Sequence, residues 1–263
     1  MAEPGRLAGK VAVITGGGGA MGGAQARLFA REGAAICVAD LFLEKAQTVA
    51  GEIEAAGGRA IACQLDVQQS AQWATAVAET ETRLGPVSLL CNNAGANFRV
   101  GFDEQTEEMW NTIVGTILTG SFLGIKAVIP SMRRAGGGVI LNLGSLASIR
   151  PGGGSPGYGA GKMGLVGLTR SAASTYAKEK IRCVLISPGH VDTPFLRENN
   201  PYSPNDASTS IDNPENYQRR LLHTPLGRLQ TADDIAKAFL FAASDDASMI
   251  TGSMITVDGG SAM

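Results

Sequence analysis

The sequence predicts an α/β fold: a doubly wound, seven-stranded parallel sheet with helices on both faces. Three observations carry this expectation. Seven short runs rich in Val, Ile and Leu recur along the 263 residues. They are continuous rather than alternating, as in strands covered on both faces. Segments of helical periodicity lie between them, and strand alternating with helix implies right-handed parallel βαβ units.

The elements follow in order. KVAVIT (10–15) leads into a glycine-rich turn and the helical pattern AQARLFAREGA (24–34). AAICVAD (34–40) precedes LEKAQTVAGEIEAAGG (43–58), and RAIACQLD (59–66) precedes SAQWATAVAETETRLG (70–85). VSLLCNN (87–93), GVILNLG (138–144), IRCVLIS (181–187) and SMITVDG (253–259) complete the strands, with DDIAKAFLFAASD (233–245) as a late helix. Several helical patterns end in Gly, the residue expected after a C-cap. No linker, repeat or composition break divides the chain, so residues 1–263 read as one domain. The polar stretch 197–220 breaks the rhythm after the sixth strand. An insert of that length is expected to act as a lid over about 195–223, at the sheet edge where ligands of open α/β folds bind.

Composition narrows the function. A net charge of −2 supplies no basic field for nucleic acid or an anionic membrane, so neither is an expected partner. No signal-like opening is visible and no apolar run approaches a membrane span, so a cytoplasmic location is expected. Cys37, Cys63, Cys91 and Cys183 sit in or beside apolar runs without C-x-x-C spacing and read as buried reduced thiols. His190 and His223 have no partners at metal-ligand spacing, so no metal is expected. The 35 glycines are the outlier, against a usual share of roughly 7%. They suggest tight turns and close backbone approaches, as at a nucleotide site.

The first turn fits a dinucleotide. Gly17-x-Gly19-x-x-Gly22 lies between a strand and an apolar-faced helix, and Asp40 ends the next strand, 18 residues past Gly22. Glycines admit a pyrophosphate to the helix N-terminus, and the carboxylate accepts from ribose hydroxyls. A 2′-phosphate would meet a like charge at Asp40, Leu41 follows it, and the turn has no Arg or Lys, which favours NAD over NADP. Asp66-Val67 and Asn93-Ala94-Gly95 fall at strand ends on the same edge. The first pair suits the adenine, and Ala and Gly leave room for a cofactor beside the second.

Ser145 ends a strand at this edge, and Tyr158 and Lys162 stand at i and i+4 on one helix face. Hydride transfer between an alcohol and NAD needs a base for the hydroxyl proton. A free Tyr has a pKa of about 10, and a nearby ammonium would lower it. Ser145 would hold the substrate oxygen.

Together these motifs resemble the classical short-chain dehydrogenase/reductase family over essentially the whole chain. The carrying residues are TGGGGAMG (15–22), Asp40, Asp66-Val67, NNAG (92–95), Ser145 with YGAGK (158–162), SPGHVDTP (187–194) and TGSMITVDGG (251–260). PLGR (225–228) with 233–248 looks like the family's C-terminal region. The resemblance implies a Rossmann-type fold, usually a homotetramer, with Tyr158 as acid/base. It implies a cofactor held by Gly16, Gly19, Met21, Gly22, Asp40, Leu41, Asp66, Val67, Asn93, Ala94, Gly95, Tyr158, Lys162, Pro188, Gly189, Val191 and Thr193. Val191 and Thr193 would meet the carboxamide. Family position suggests a substrate pocket of Asn97, Phe98, Leu146, Ile149, Gly154, His190 and Phe195. That lining is largely apolar, so an uncharged alicyclic, terpenoid or steroid-like secondary alcohol or ketone is expected.

The chain departs from the family at four places. Ala20 replaces a glycine, Gly161 a common Ser, Ile117 the usual Asn, and Val184 a frequent strand Asn. The family's Asn accompanies a helix irregularity and a water beside the Lys. Thr116, Thr119 and Ser121 could compensate, and Ile117 and Val184 could be a matched repacking. Two other readings stay open. Gly153-Gly154-Ser155-Pro156-Gly157 spells G-x-S-x-G, which with Asp192 and His223 would make a serine hydrolase, although no strand leads into Ser155. A non-catalytic NAD-binding sensor or scaffold is the other.

Overall fold

The computed structural model describes residues 5–150, 152 and 154–263. Its seven strands form one parallel sheet of order β3-β2-β1-β4-β5-β6-β7. They are β1 Val11–Thr15, β2 Ala35–Asp40, β3 Arg59–Gln64, β4 Leu89–Asn92, β5 Gly138–Leu143, β6 Ile181–Pro188 and β7 Met254–Val257. The chain reverses its direction of winding between β1 and β4, so a crevice opens at their carboxyl ends.

Each central strand feeds two cores. Ala12 and Ile14 face a layer formed by helices α1 (Ala20–Arg31), α2 (Leu43–Ala55) and α9 (Ala232–Ala243), with Phe29 and Phe239 fully buried. Val13 faces the opposite layer, where α3 (Ser70–Arg83), α5 (Gly120–Arg134) and α6 (Pro156–Tyr176) pack around Trp73. Burial of such a side chain contributes about 1.5–3 kcal/mol, and two covered faces explain the continuous apolar runs. All four cysteines are buried and free.

Helix α4 (Glu107–Val114), a π-helical turn (Gly115–Thr119) and α5 run on as one apolar element. The expectation that no run approaches a membrane span is corrected here. Glu107–Arg134 is 28 residues long with a mean hydropathy of 1.7, enough by length and composition alone. Thr112, Thr116, Thr119 and Ser121 interrupt the run in the sequence, which hid its length. Ile113, Ile125, Val128, Ile129 and Met132 bury its inner side. Two short helices, α7 (Pro194–Arg197) and α8 (Pro214–Leu222), carry the insert back over the carboxyl edge.

Candidate active site

A cleft of about 980 Å³ lies along the carboxyl edge of the sheet. Every residue expected to hold a cofactor lines it, from Gly16, Gly19, Met21 and Gly22 through Asp40, Leu41, Asp66, Val67 and Asn93-Ala94-Gly95 to Pro188, Gly189, Val191 and Thr193. Gly16 has φ +59°, and a β-carbon there would come within 3.3 Å of the Ala94 backbone. At Gly22 it would lie 2.3 Å from the Gly16 carbonyl oxygen, so only glycine lets α1 start this close to the turn. Gly19 caps α1 without a side-chain bond, leaving the helix's first N–H groups to the cleft. Such a terminus suits an anion, so the cradle fits a dinucleotide pyrophosphate.

The Asp40 carboxylate accepts from the Gly18 and Phe42 backbone N–H groups, each at 3.0 Å, which fixes it at the end of β2. An ionised carboxylate has about four acceptor sites, so two stay available for ribose hydroxyls. Lys45 also lines this end, with its ammonium 5.0 Å from the Phe42 ring centroid. It lies in the first turn of α2, five residues past Asp40, outside the glycine turn whose lack of Arg or Lys favoured NAD. The Asn93 turn is braced by its amide, which exchanges two bonds with Gln25, and by Thr15 Oγ1, which accepts from Asn93 and Ala94 N–H.

Ser145, Tyr158 and Lys162 converge at the other end of the cleft. Ser145 is N-cap of a short 3-10 turn, Leu146–Ser148, and its Oγ accepts from Ala147 N–H. Ser148 Oγ donates to the Lys162 carbonyl at 2.9 Å, tying the strand end to α6. Burial raises the Tyr158 pKa, while hydrogen bonding to Ser145 and the nearby Arg99 guanidinium oppose that rise. Lys162 Nζ donates to the Leu143 carbonyl at 2.6 Å, and burial lowers its pKa to about 7. Lys162 Nζ stands 5.5 Å from the Tyr158 ring centroid, and the Arg99 guanidinium is a second cation near the phenol that inspection of the motif alone does not reveal.

Arg99 has φ +53°, a left-handed conformation costing a non-glycine residue about 1–3 kcal/mol. Its guanidinium donates to the carbonyls of Asn97, Phe195 and Pro204 and to Ser203 Oγ, and so links the β4–α4 loop to the insert. Leu196, Asn200, Tyr202 and Thr209 of the insert also line the cleft.

Asn97, Leu146, Gly154, His190 and Phe195 line the cleft as expected. Phe98 and Ile149 do not. Phe98 packs against the cluster of Ala96, Ile113, Ile117 and Leu165, and Ile149 ends the 3-10 turn. The lining is also less apolar than expected, because Arg99, Arg150 and the adjacent α8 pair Arg219 and Arg220 face it.

Ile117 keeps the π turn despite the loss of the family's Asn, and its carbonyl accepts from Ser121 Oγ at 2.6 Å. Its pairing with Val184 is not found. Val184 faces the α1 and α9 layer, whereas Ile117 packs with Leu185 on the opposite face. Its partner is Gly161: a β-carbon there would lie 3.2 Å from Ile117 Cγ2.

The hydrolase arrangement does not assemble. Ser155 is buried, caps α6 at Tyr158 N–H and donates to Asn97 Oδ1 at 2.9 Å. Asp192 forms a two-pronged pair with Arg197, and His223 Nδ1 lies 2.7 Å from the Arg219 carbonyl. Gly153, the first glycine of that pattern, lies outside the described residues.

A seven-stranded doubly wound sheet with a Ser-Tyr-Lys set beside a dinucleotide cradle defines a nicotinamide-dependent oxidoreductase class. Comparison with known proteins agrees. A family model described as enoyl-(acyl carrier protein) reductase matches residues 18–262. The chain is 39% identical to 2,5-dichloro-2,5-cyclohexadiene-1,4-diol dehydrogenase of Sphingobium indicum over 97% of each chain. It is 35% identical to cyclohexanol dehydrogenase of an Acinetobacter species, covering 95% of this chain and 94% of the relative. It superposes on 3-ketoacyl-(acyl-carrier-protein) reductase from Brucella melitensis, solved with NADH, with a TM-score of 0.86, 32% identity and coverage of 98% and 100%. The chain belongs to the classical short-chain dehydrogenase/reductase family.

Proposed function

We propose that this protein is an NAD-dependent dehydrogenase that interconverts a secondary alcohol on an alicyclic ring and its ketone. The observation that carries the reading is the convergence of Ser145, Tyr158 and Lys162 at one end of a cleft whose other end holds an uncapped helix terminus and Asp40. The relatives named for a cyclohexadienediol and cyclohexanol support the ring alcohol. The Asp40 carboxylate and the NADH-bound neighbour support NAD.

The bound nicotinamide would supply the hydride acceptor. The chain's own residues handle position and proton. Ser145 holds the substrate oxygen against Tyr158, which takes the hydroxyl proton on oxidation and returns it on reduction. Arg99 favours the phenolate. Lys162, with a pKa lowered to about 7, can pass a proton at working pH. Leu146 and Phe195 offer apolar surface to the ring. The half-exposed Trp110, Phe122 and Met163 support association of several copies, as in a homotetramer.

The test is purified protein with NAD⁺ or NADP⁺ against a panel of cyclic secondary alcohols, followed by absorbance of the reduced cofactor. Turnover with NAD⁺ favoured supports the reading. Tight NADH binding without turnover of any alcohol or ketone would favour a sensor or scaffold instead.

A further inference from the structure

We propose that the alcohol carries an anionic group, a carboxylate, held by arginines that line the cleft on the side of the reacting residues. This rests on the dehydrogenase reading above and names its substrate class.

Arg99, Arg150, Arg219 and Arg220 line the cleft, with Glu198 as the carboxylate that shares their wall. The chain as a whole is slightly acidic, at −2, so this wall departs from the surface average. The ion pairs found among the described residues use other arginines. The hydrogen-bond partners of Arg99, Arg219 and Arg220 are neutral. Arg220 donates to the Asn216 and Thr209 carbonyls, each at 3.2 Å, and Arg219 to Asn216 Oδ1 at 2.6 Å. Arg99 donates to the insert's carbonyls. Such bonds aim a guanidinium without neutralising it. Arg carries five N–H donors, and Arg220 spends two of them here, so a fork remains for a carboxylate.

The cations are close enough to act on one another. Burial lowers Arg99 to about 10 and Arg220 repels it further. Burial, then Arg220, His223 and Arg150, hold His190 down at about 4, so that imidazole is neutral. Like charges gathered in a cleft destabilise the fold, and a bound anion would relieve that cost. Their position chooses the ligand. Arg99 bears on the Tyr158 phenol, so the cluster overlooks the reacting end. The adenosine end carries Asp40 and Asp66 instead.

The experiment compares 3- and 4-hydroxycyclohexanecarboxylate with their methyl esters, using NAD⁺ and kcat/KM. The acid should be favoured over its ester by tenfold or more. Arg220→Gln should cut that ratio at least tenfold, and Arg150→Gln, at an exposed position, should cut it severalfold without endangering folding. Equal use of acid and ester, or a ratio unchanged in both variants, overturns the proposal. So does an equal loss of NADH affinity, which would assign the arginines to the cofactor. Where neither alcohol is turned over, the dehydrogenase reading fails, and calorimetry on NADH-loaded protein decides this one separately. Tighter binding of 4-oxocyclohexanecarboxylate than of its methyl ester supports an anion site, and equal binding rules it out.

Discussion

Ile117 occupies the space that a side chain at Gly161 would need, with only 3.2 Å between its Cγ2 and a β-carbon at that position. Gly161 immediately precedes Lys162, so this contact sets how closely α6 approaches the π turn. Two departures from the family pattern are thus one change: an apolar side chain on one helix fills what a small polar one would on the other. The double substitution measures it. Gly161→Ala gains helix propensity of about 1 kcal/mol, but in the native background it meets Ile117. It should be more favourable in an Ile117→Ala background than in the native one by about 1 kcal/mol, read from denaturant midpoints. Additive effects would show that the two residues are independent.

Asp40 governs cofactor choice. Asp40→Asn removes the negative charge while keeping one oxygen for Gly18 or Phe42 N–H. The ratio of kcat/KM for NAD⁺ over NADP⁺ should fall about tenfold, or about 1.4 kcal/mol. Lys45→Ala should move the ratio the other way. An unchanged ratio in Asp40→Asn would place discrimination elsewhere.

The buried Lys162 gives stability a pH dependence. Its pKa is lowered to about 7 in the folded protein, while an unfolded Lys titrates near 10.4. Between these values the unfolded chain binds the extra proton, so stability rises with pH from about 7 to about 10.4. Below pH 7 both states are protonated and the burial penalty is present in full. Native protein without cofactor should therefore gain stability relative to Lys162→Met across that window. A difference that stays flat with pH would contradict the buried ammonium.

Ser155 is a structural serine. Ser155→Ala loses the α6 N-cap and the bond to Asn97, which should cost about 1–2 kcal/mol of stability. Alcohol turnover should persist. Turnover of p-nitrophenyl esters that survives Tyr158→Phe and disappears in Ser155→Ala would restore the hydrolase reading.

The sheet was legible because both of its faces are covered, so its strands stand out as unbroken apolar runs. The cofactor cradle was legible because glycines, a strand and an acid at fixed spacing encode one local unit. The outer pocket was not. Arg99, Arg150 and the α8 pair Arg219 and Arg220 come from three distant segments, and only the folded chain brings them to one cleft. Phe98 sits between two cleft residues, Asn97 and Arg99, yet the left-handed backbone at Arg99 redirects the chain there. The alternation of β6 held a signal that would have separated Ile117 from Val184. Residues 184 and 186 share one face while 181, 183 and 185 share the other.

The most direct measurement is alcohol oxidation by Tyr158→Phe beside the native protein, with NADH binding followed by fluorescence in both. The phenol is the only proton carrier proposed to touch the substrate oxygen together with Ser145. Loss of a general base costs typically 10²–10⁴-fold. Tyr158→Phe should lose at least a hundredfold in kcat with NAD⁺ and bind NADH within about threefold of the native affinity. Native turnover by Tyr158→Phe would contradict the account.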